Sequence, residues 1–245
     1  MDLLFNLTEI IRYYNYLYYM IVEKKEKDLK KIKEEVLDCK KCPLYKERLK
    51  NKFYPVIGEG NHQANIVFVG EAPGLQEAKS GRPFCGAAGK ILDELLEFVN
   101  IKRKDVYITN ILKDRPPGNR DPQLEEIKAC TPYLERQIEI IKPKIVCPLG
   151  RYSMKFLMEK FELEDQLKEI SKIHGQSFKV DKFFHNFTII PFYHPAVAVY
   201  NPNMKDMLKK DFGLLKALLE KLLKEDKTKK EEWESEKREM EDPFF

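Results

Sequence analysis

The chain has 245 residues and a mass of 29.0 kDa, so one α/β domain with additions at its termini is the simplest interpretation. Charged residues make up 34% of it, yet 44 Lys and Arg against 40 Asp and Glu leave a net charge of only +4, which permits nucleic-acid binding without requiring it. Five cysteines, an odd number in a long chain without a secretory signal, exclude a disulfide framework and indicate the cytoplasm.

Residues 1–38 are predicted to be helical and not to span a membrane. The tyrosine-rich stretch 13–19 is apolar in part, but Glu9, Arg12 and Asn15 interrupt it well short of the ~20 apolar residues that a span requires. Residues 24–35 alternate in charge, which is typical of a solvated helix. We therefore expect an amphipathic helix that docks on the domain or on a partner.

A pair of cysteines follows, in a loop or short turn over residues 39–54. Cys39-x-x-Cys42, with Cys130 far downstream, is typical of a metal or iron–sulfur site. The two-residue spacing lets one turn present two thiolates to one metal centre. Soft thiolates favour zinc or iron–sulfur, and two incidental thiols are the structural alternative.

Strand-like and helical segments alternate over the rest of the domain. Four apolar runs, each followed by a helical pattern, predict a three-layer α/β/α fold with a central, mostly parallel four-stranded sheet. The predicted strands are 65–70, 105–110, 144–149 and 187–193, and the helices are 87–99, one from about 121, one from 151, and 203–223. We divide the chain into an N-terminal helical extension (1–38), the domain (39–223) and a charged flexible tail (224–245).

Polar residues follow three of the predicted strands at one edge of the sheet. Gly70-Glu71-Ala72-Pro73-Gly74 delivers a carboxylate, and its glycines let the backbone approach a ligand closely. Asn110 ends the second strand, His194 closes the fourth, and Phe84 supplies an aromatic face. A lone His is more often structural, but this one shares its edge with an acid and an amide. Together they can hold a flat heterocycle, which is a reason to expect base recognition.

Two further segments have a functional and a structural interpretation. The stiff loop 115–122 carries Arg115 and Arg120, which either pair with phosphates or are ordinary solvated arginines. The tail after residue 223 is either a frayed helix followed by a loose terminus, or a tether whose Phe244-Phe245 end is an aromatic anchor similar to peptides that dock on sliding clamps, although its spacing departs from that motif. By contrast, residues 86–90 lack the first glycine and the Ser or Thr of a phosphate-binding loop.

Taken in order, these motifs resemble the family 4 uracil-DNA glycosylases, the iron–sulfur branch of their superfamily. The resemblance runs from about residue 39 to residue 215. The matching motifs are Cys39-x-x-Cys42-Pro43, Gly70-Glu71-Ala72-Pro73-Gly74, Gly81-Arg82-Pro83-Phe84, Thr109-Asn110, Arg115-Pro116-Pro117-Gly118-Asn119-Arg120, Cys130-x-Pro132-Tyr133-Leu134, Leu149-Gly150 and His194-Pro195-Ala196.

The resemblance implies that the protein flips deoxyuridine out of DNA and hydrolyses its N-glycosidic bond, leaving an abasic site for base excision repair. Phe84 would stack on uracil and Asn110 would bind its O4 and N3–H edge. The backbone of Gly70 and Ala72 would form part of the base cradle. The remaining implied roles are a uracil anion stabilised by His194, a water positioned or activated by Glu71, and a DNA backbone held by Arg115 and Arg120.

Two positions depart from the family. Asp114 stands where the family usually has a cysteine, so we expect a four-iron cluster held by Cys39, Cys42, Asp114 and Cys130, with a three-iron cluster or zinc as alternatives. Ala78 stands where the family often has an acid, which weakens any role for a second carboxylate. A non-catalytic uracil- or single-stranded-DNA-binding module and a clamp-tethered scaffold are the competing functions. We expect a monomer.

Overall fold

A computed structural model of the chain describes residues 7–181 and 185–240. Its strands are β1 (Glu59–Gly60), β2 (Ile66–Gly70), β3 (Tyr107–Asn110), β4 (Ile145–Pro148), β5 (Phe178–Val180) and β6 (Phe187–Ile189). Its helices are α1 (Leu7–Leu37), α2 (Leu44–Asn51), α3 (Leu75–Ser80), α4 (Ala87–Phe98), α5 (Leu124–Ile141), α6 (Arg151–Lys160), α7 (Ile170–Ile173), α8 (Ala196–Tyr200) and α9 (Met204–Met240).

The strands form one sheet in the order β1-β3-β2-β4-β6-β5. The four inner strands are parallel, as predicted, and β1 and β5 pair antiparallel at the two edges. The prediction of four strands is therefore wrong for the described residues, which hold six. The two additional strands are two and three residues long, too short to show an alternating pattern in the sequence.

The sheet is covered on both faces, which confirms the three-layer arrangement. Side chains of β2 alternate between two hydrophobic clusters: Val67 and Val69 pack on one side with α1, α5 and α6, and Ile66 and Phe68 on the other with α4 and α9. Such a strand is buried along its whole length, as its unbroken apolar run indicates.

The N-terminal helix α1 differs between its two halves. The second half of α1 packs on α5 through buried residues such as Ile32, as the prediction of a docked helix required, while Tyr16 and Tyr19 in its first half are exposed. No helix within the described ranges is long and apolar enough to cross a membrane.

Two predicted helix boundaries are wrong. α9 continues past residue 223 to Met240, because its charged residues are strong helix formers and are spaced for ion pairs such as Lys221 with Glu225. α5 begins at Leu124 and not near residue 121, because the Glu126 carboxylate accepts the backbone N–H of Gln123 and fixes the start there. The Phe244-Phe245 anchor lies outside the described residues.

Candidate active site

A pocket of about 420 Å³ opens at the carboxyl ends of β2 and β3. Glu71, Ala72, Phe84, Asn110 and His194 all line it, so the structure brings together the pocket residues that the sequence predicts. They meet because β2 and β3 pair in a register that sets Gly70 beside Asn110. The bridge between residues 149 and 192 brings the end of β4 to the same edge.

Gly70 lies beside the pocket residues Asn110 and Phe84, and its missing side chain allows these two to converge. A β-carbon built on Gly70 would lie 2.2 Å from Asn110 Oδ1 and 2.8 Å from the Phe84 ring. Neither contact is possible for real atoms, so any larger residue displaces the amide or the aromatic ring. This glycine is needed for close approach.

Phe84 is held in an unusual backbone conformation. Its φ is +48°, in the left-handed region that residues with side chains rarely adopt, and its side chain is buried. Helix α4 packs tightly behind it, since a β-carbon on Gly89 would lie 1.8 Å from the Phe84 carbonyl oxygen. The Phe84 and His194 ring centroids are 5.5 Å apart. The aromatic face is therefore fixed before any ligand binds.

Asn110 is fixed from behind by a buried lysine that sequence reasoning missed. Lys113 Nζ donates hydrogen bonds of 2.8 Å to the backbone carbonyl of Asn110, to Thr109 Oγ1 and to Gln137 Oε1. It donates a longer one to the backbone carbonyl of Ile57. Burial lowers the pKa of Lys113 to about 7, because no carboxylate among these partners compensates its charge. In the sequence this residue resembles any surface lysine.

His194 is poised as a neutral hydrogen-bond donor. Its Nδ1 accepts the backbone N–H of Ala196 at 3.1 Å, so the proton of the neutral ring lies on Nε2. The ring keeps part of its surface toward the pocket, yet the surrounding protein desolvates it and lowers its pKa to about 4. At neutral pH the imidazole can donate from Nε2 without carrying a charge.

Glu71 is half-buried at the junction between this pocket and a second cleft that His194 also lines. Burial raises the pKa of its carboxyl, the neighbouring carboxylate of Asp121 raises it further, and Arg151 opposes both. Asp121 lies in the loop 115–122 and Arg151 follows the Leu149-Gly150 motif, but sequence reasoning assigned neither of them a role beside Glu71. A carboxylate with a raised pKa is suited to accept a proton from water.

The predicted DNA-backbone arginines are engaged within the protein. Arg120 lines the pocket, but its guanidinium donates to both carboxylate oxygens of Glu126 at 2.6 and 3.0 Å. The Arg115 guanidinium lies 6.0 Å from the centre of the Phe53 ring. Arg82, two residues before Phe84, forms a two-pronged ion pair with Glu59 at the surface.

Cys39, Cys42, Cys130 and Asp114 form what we term the cysteine nest. Burial is the main cause that raises the pKa of Cys42, and the nearby Asp114 and Cys39 raise it further. Burial likewise raises the pKa of Cys130 to about 12, which a hydrogen bond from the Lys113 backbone opposes. Cys42 is thus within electrostatic reach of Cys39, Asp114 and Cys130, and the binding of a metal group by these residues stays a prediction.

The geometry of the nest distinguishes the possible metal groups. Among the residues that the structure describes, no three His, Cys, Asp or Glu side chains converge closely enough to share one metal ion. Zinc would require its sulfur ligands within about 2.3 Å of one point, so these side chains would have to move together. An iron–sulfur cluster binds its thiolates through different irons, so its ligands do not have to converge on one point. The Asp114 carboxylate, predicted as a fourth ligand, lies 3.0 Å from Arg48 Nη1.

Comparison with known proteins gives a consistent result. The profile of the Uracil DNA glycosylase superfamily matches residues 57–222. A type-4 uracil-DNA glycosylase of Sulfurisphaera tokodaii is 48% identical over 78% of this chain and 84% of its own length. Proteins of the same name from Archaeoglobus fulgidus and Thermotoga maritima are 44% and 41% identical, over 74% and 69% of this chain and 88% and 82% of theirs.

Proposed function

The chain belongs to the type-4 branch of the uracil-DNA glycosylase superfamily, and from that premise we propose that it excises uracil from DNA. It is a hydrolase of N-glycosyl bonds that leaves an abasic site in base excision repair. The observation that carries this proposal is the meeting of Glu71, Phe84, Asn110 and His194 in one pocket. We assign the activity to residues 39–223, which contain the matched range, with 1–38 and 224–245 as additions.

Recognition begins when deoxyuridine leaves the DNA stack, at a cost of a few kcal/mol. Phe84 then stacks on the flat base, and its fixed backbone means that little further ordering is needed. The Asn110 side-chain amide accepts from N3–H and donates to O4, a pair that cytosine does not offer. The backbone at Gly70 and Ala72 completes the cradle.

Bond cleavage then proceeds toward a positively charged sugar and a uracil anion. The C1′–N1 bond breaks and its electron pair leaves with uracil, whose O2 accepts a hydrogen bond from His194 Nε2–H. Glu71 positions a water whose oxygen forms the new bond to C1′, and it accepts the proton that this water loses. Neutral His194 is suited to this role, because the uracil anion can depart without a full proton transfer from the ring.

We further propose that an iron–sulfur cluster, in its four-iron form, occupies the cysteine nest. Cys39 and Cys42 would hold it from the segment before α2, and Cys130 from α5. When bound, the cluster supplies iron–thiolate bonds that clamp these segments together beneath the DNA-facing surface. None of the five cysteines forms a disulfide, and we propose that the protein works in a reducing compartment, the cytoplasm. The monomeric state and clamp docking through Phe244-Phe245 stay predictions.

A single assay separates this activity from a binding module. An oligonucleotide with one uracil, placed opposite G, opposite A or in a single strand, is incubated with the full chain and then treated with alkali, which cleaves at an abasic site. We expect cleavage that depends on uracil and is absent with thymine. Tight binding in fluorescence anisotropy without cleavage, even at elevated temperature, would support the non-catalytic module instead.

Two variants tie the result to the pocket. Asn110→Ala should lose most of the activity, because it removes the amide that reads the base. Asn51→Ala is the matched control, since Asn51 lies exposed on α2 and its side-chain amide donates to Glu47 of its own helix. If Asn110→Ala cleaved uracil DNA as well as wild type, the pocket assignment would be wrong.

A further inference from the structure

The Asp114 carboxylate is bound to a cation inside the protein. Arg48 Nη1 lies 3.0 Å from Oδ2 and 3.2 Å from Oδ1 of Asp114. The two side chains expose only 8% and 10% of their surface. An arginine keeps its charge in proteins, so this is a buried ion pair and not a solvated contact.

Arg48 is held on its other side by backbone carbonyls next to the cysteine pair. Its Nη2 donates to the Cys39 carbonyl at 2.7 Å, and its Nη1 also donates to the carbonyl of Val36 at 3.3 Å. The guanidinium therefore cannot follow the carboxylate toward a metal without losing these bonds. If Asp114 moved alone, it would leave Arg48 as an uncompensated buried charge, which is strongly destabilising.

The same contacts make the connection that a fourth iron–ligand bond would make. A ligand at position 114 would tie the loop after β3 to the segment that carries Cys39 and Cys42. Arg48 already joins these two parts, since one guanidinium bonds to Asp114 and to the carbonyl of Cys39. The ion pair therefore makes the connection between these two segments that a fourth protein ligand of the cluster would otherwise make.

We propose that Asp114 is the buried counter-ion of Arg48 and not a cluster ligand, so that Cys39, Cys42 and Cys130 alone hold the cluster. This inference rests on the proposed iron–sulfur group. One corner iron then has no protein ligand and takes water, hydroxide or a small thiol from solution. Such an iron is the easiest to lose.

The loss is a defined redox step. Ferricyanide takes one electron from a four-iron cluster of charge 2+, and the resulting 3+ cluster releases one ferrous ion and leaves a three-iron cluster of charge 1+. The three-iron product is paramagnetic and visible by electron paramagnetic resonance without a reductant, whereas the starting cluster is silent. The two states are therefore distinguished in the same sample.

The experiment uses the full chain purified without oxygen and treated with ferricyanide, with iron content and the paramagnetic signal measured before and after. We expect wild type to lose one iron per protein and to gain the three-iron signal. Asp114→Asn should behave in the same way, because it removes no ligand. Asp114→Cys should retain its iron, because it adds the fourth thiolate. Asp93→Asn is the matched control, since Asp93 pairs with Arg103 at the surface.

Several results would overturn the inference. Wild type that keeps all its iron while Asp114→Asn loses it would identify Asp114 as a ligand. If wild type purified without oxygen contained no iron, the proposed cluster itself would be contradicted. If Asp114→Asn fails to fold, wild type is compared with Asp114→Cys. Equal retention of iron by these two proteins would contradict the proposal that one iron of the wild-type cluster lacks a protein ligand. Uracil excision is assayed in the same samples, so an intact cluster without cleavage would count against the proposed function alone.

Discussion

The pocket and the cysteine nest are joined by one short stretch of chain, from Asn110 to Asp114, yet they are built in different ways. The pocket takes its side chains from the ends of neighbouring parallel strands, so the sheet itself sets their spacing. The nest joins segments that no sheet aligns, and it depends on a buried ion pair and on thiols. The pocket therefore needs each of its residues at its strand end, whereas the nest can replace a bond to a metal group by an ion pair such as Arg48 with Asp114.

The largest expected effect breaks the nest. Arg48→Met leaves the Asp114 carboxylate buried without its cation, and losing one partner of a buried pair lowers the free energy of unfolding by about 3–5 kcal/mol. Urea unfolding of the full chain measures this, with the m-value checked for constancy. Arg48→Lys should lose less stability than Arg48→Met, because it keeps the positive charge. Some loss should remain, since one ammonium cannot replace the two-sided bonding of Arg48 to Asp114 and to the Cys39 carbonyl.

A double variant decides whether the stranded carboxylate is the cause. Arg48→Met combined with Asp114→Asn should recover part of the lost stability, since the uncompensated charge is gone. If the double variant were as unstable as the sum of the single changes, the two residues would act independently. The ion pair would then not explain how the nest is held together.

The second prediction breaks the pocket. His194→Ala should lower kcat by about 10²–10³-fold, the effect of removing one positioned donor to a developing anion. KM for uracil DNA should change little, because the hydrogen bond to the uracil anion forms fully only in the transition state. His62→Ala is the control, since His62 pairs with Glu26 away from the pocket. A loss confined to KM would contradict the assigned role.

These two predictions differ in how far the sequence anticipates them. Glu71 follows β2, Asn110 ends β3 and His194 follows the predicted fourth strand 187–193. Because strand ends of a parallel sheet share an edge, their meeting could be predicted. Arg48 and Asp114 lie 66 positions apart, and no local pattern relates them. Lys113 is equally hidden, because a charged residue after a strand normally indicates the surface. Pairings between distant polar groups are set by the packed core, which single-sequence patterns do not specify.

The third prediction concerns the pH dependence that the raised pKa of Glu71 gives to the activity. Activity should fall about tenfold per pH unit once the pH drops below the raised pKa of Glu71, because the protonated acid cannot accept a proton from water. His194 stays neutral until the pH nears 4, so its protonation does not cause this acidic limb of the pH–activity profile, the fall in activity at low pH. Asp121→Asn should move the limb to lower pH, since it removes a cause of the raised pKa, while Arg151 remains.

The measurement is kcat/KM against pH for wild type and Asp121→Asn, over a range in which both stay folded. Tyr152 donates a hydrogen bond to Asp121 and can still donate to the Asn oxygen, so the rim of the pocket keeps this contact. A limb that stayed in place, or moved to higher pH, would mean that Glu71 is not the group whose ionisation limits the reaction.

The smallest expected effect completes the comparison by removing an ion pair that is not buried. Arg82 and Glu59 form two hydrogen bonds of 2.8 Å, the same kind of charge pair as Arg48 and Asp114, but the arginine side chain is 62% exposed. Water screens such a pair, so Arg82→Met should change the free energy of unfolding by less than about 1 kcal/mol. That remaining effect should shrink as salt rises, unlike the effect of Arg48→Met. A loss at Arg82 as large as that at Arg48 would mean that burial does not explain the strength of the nest.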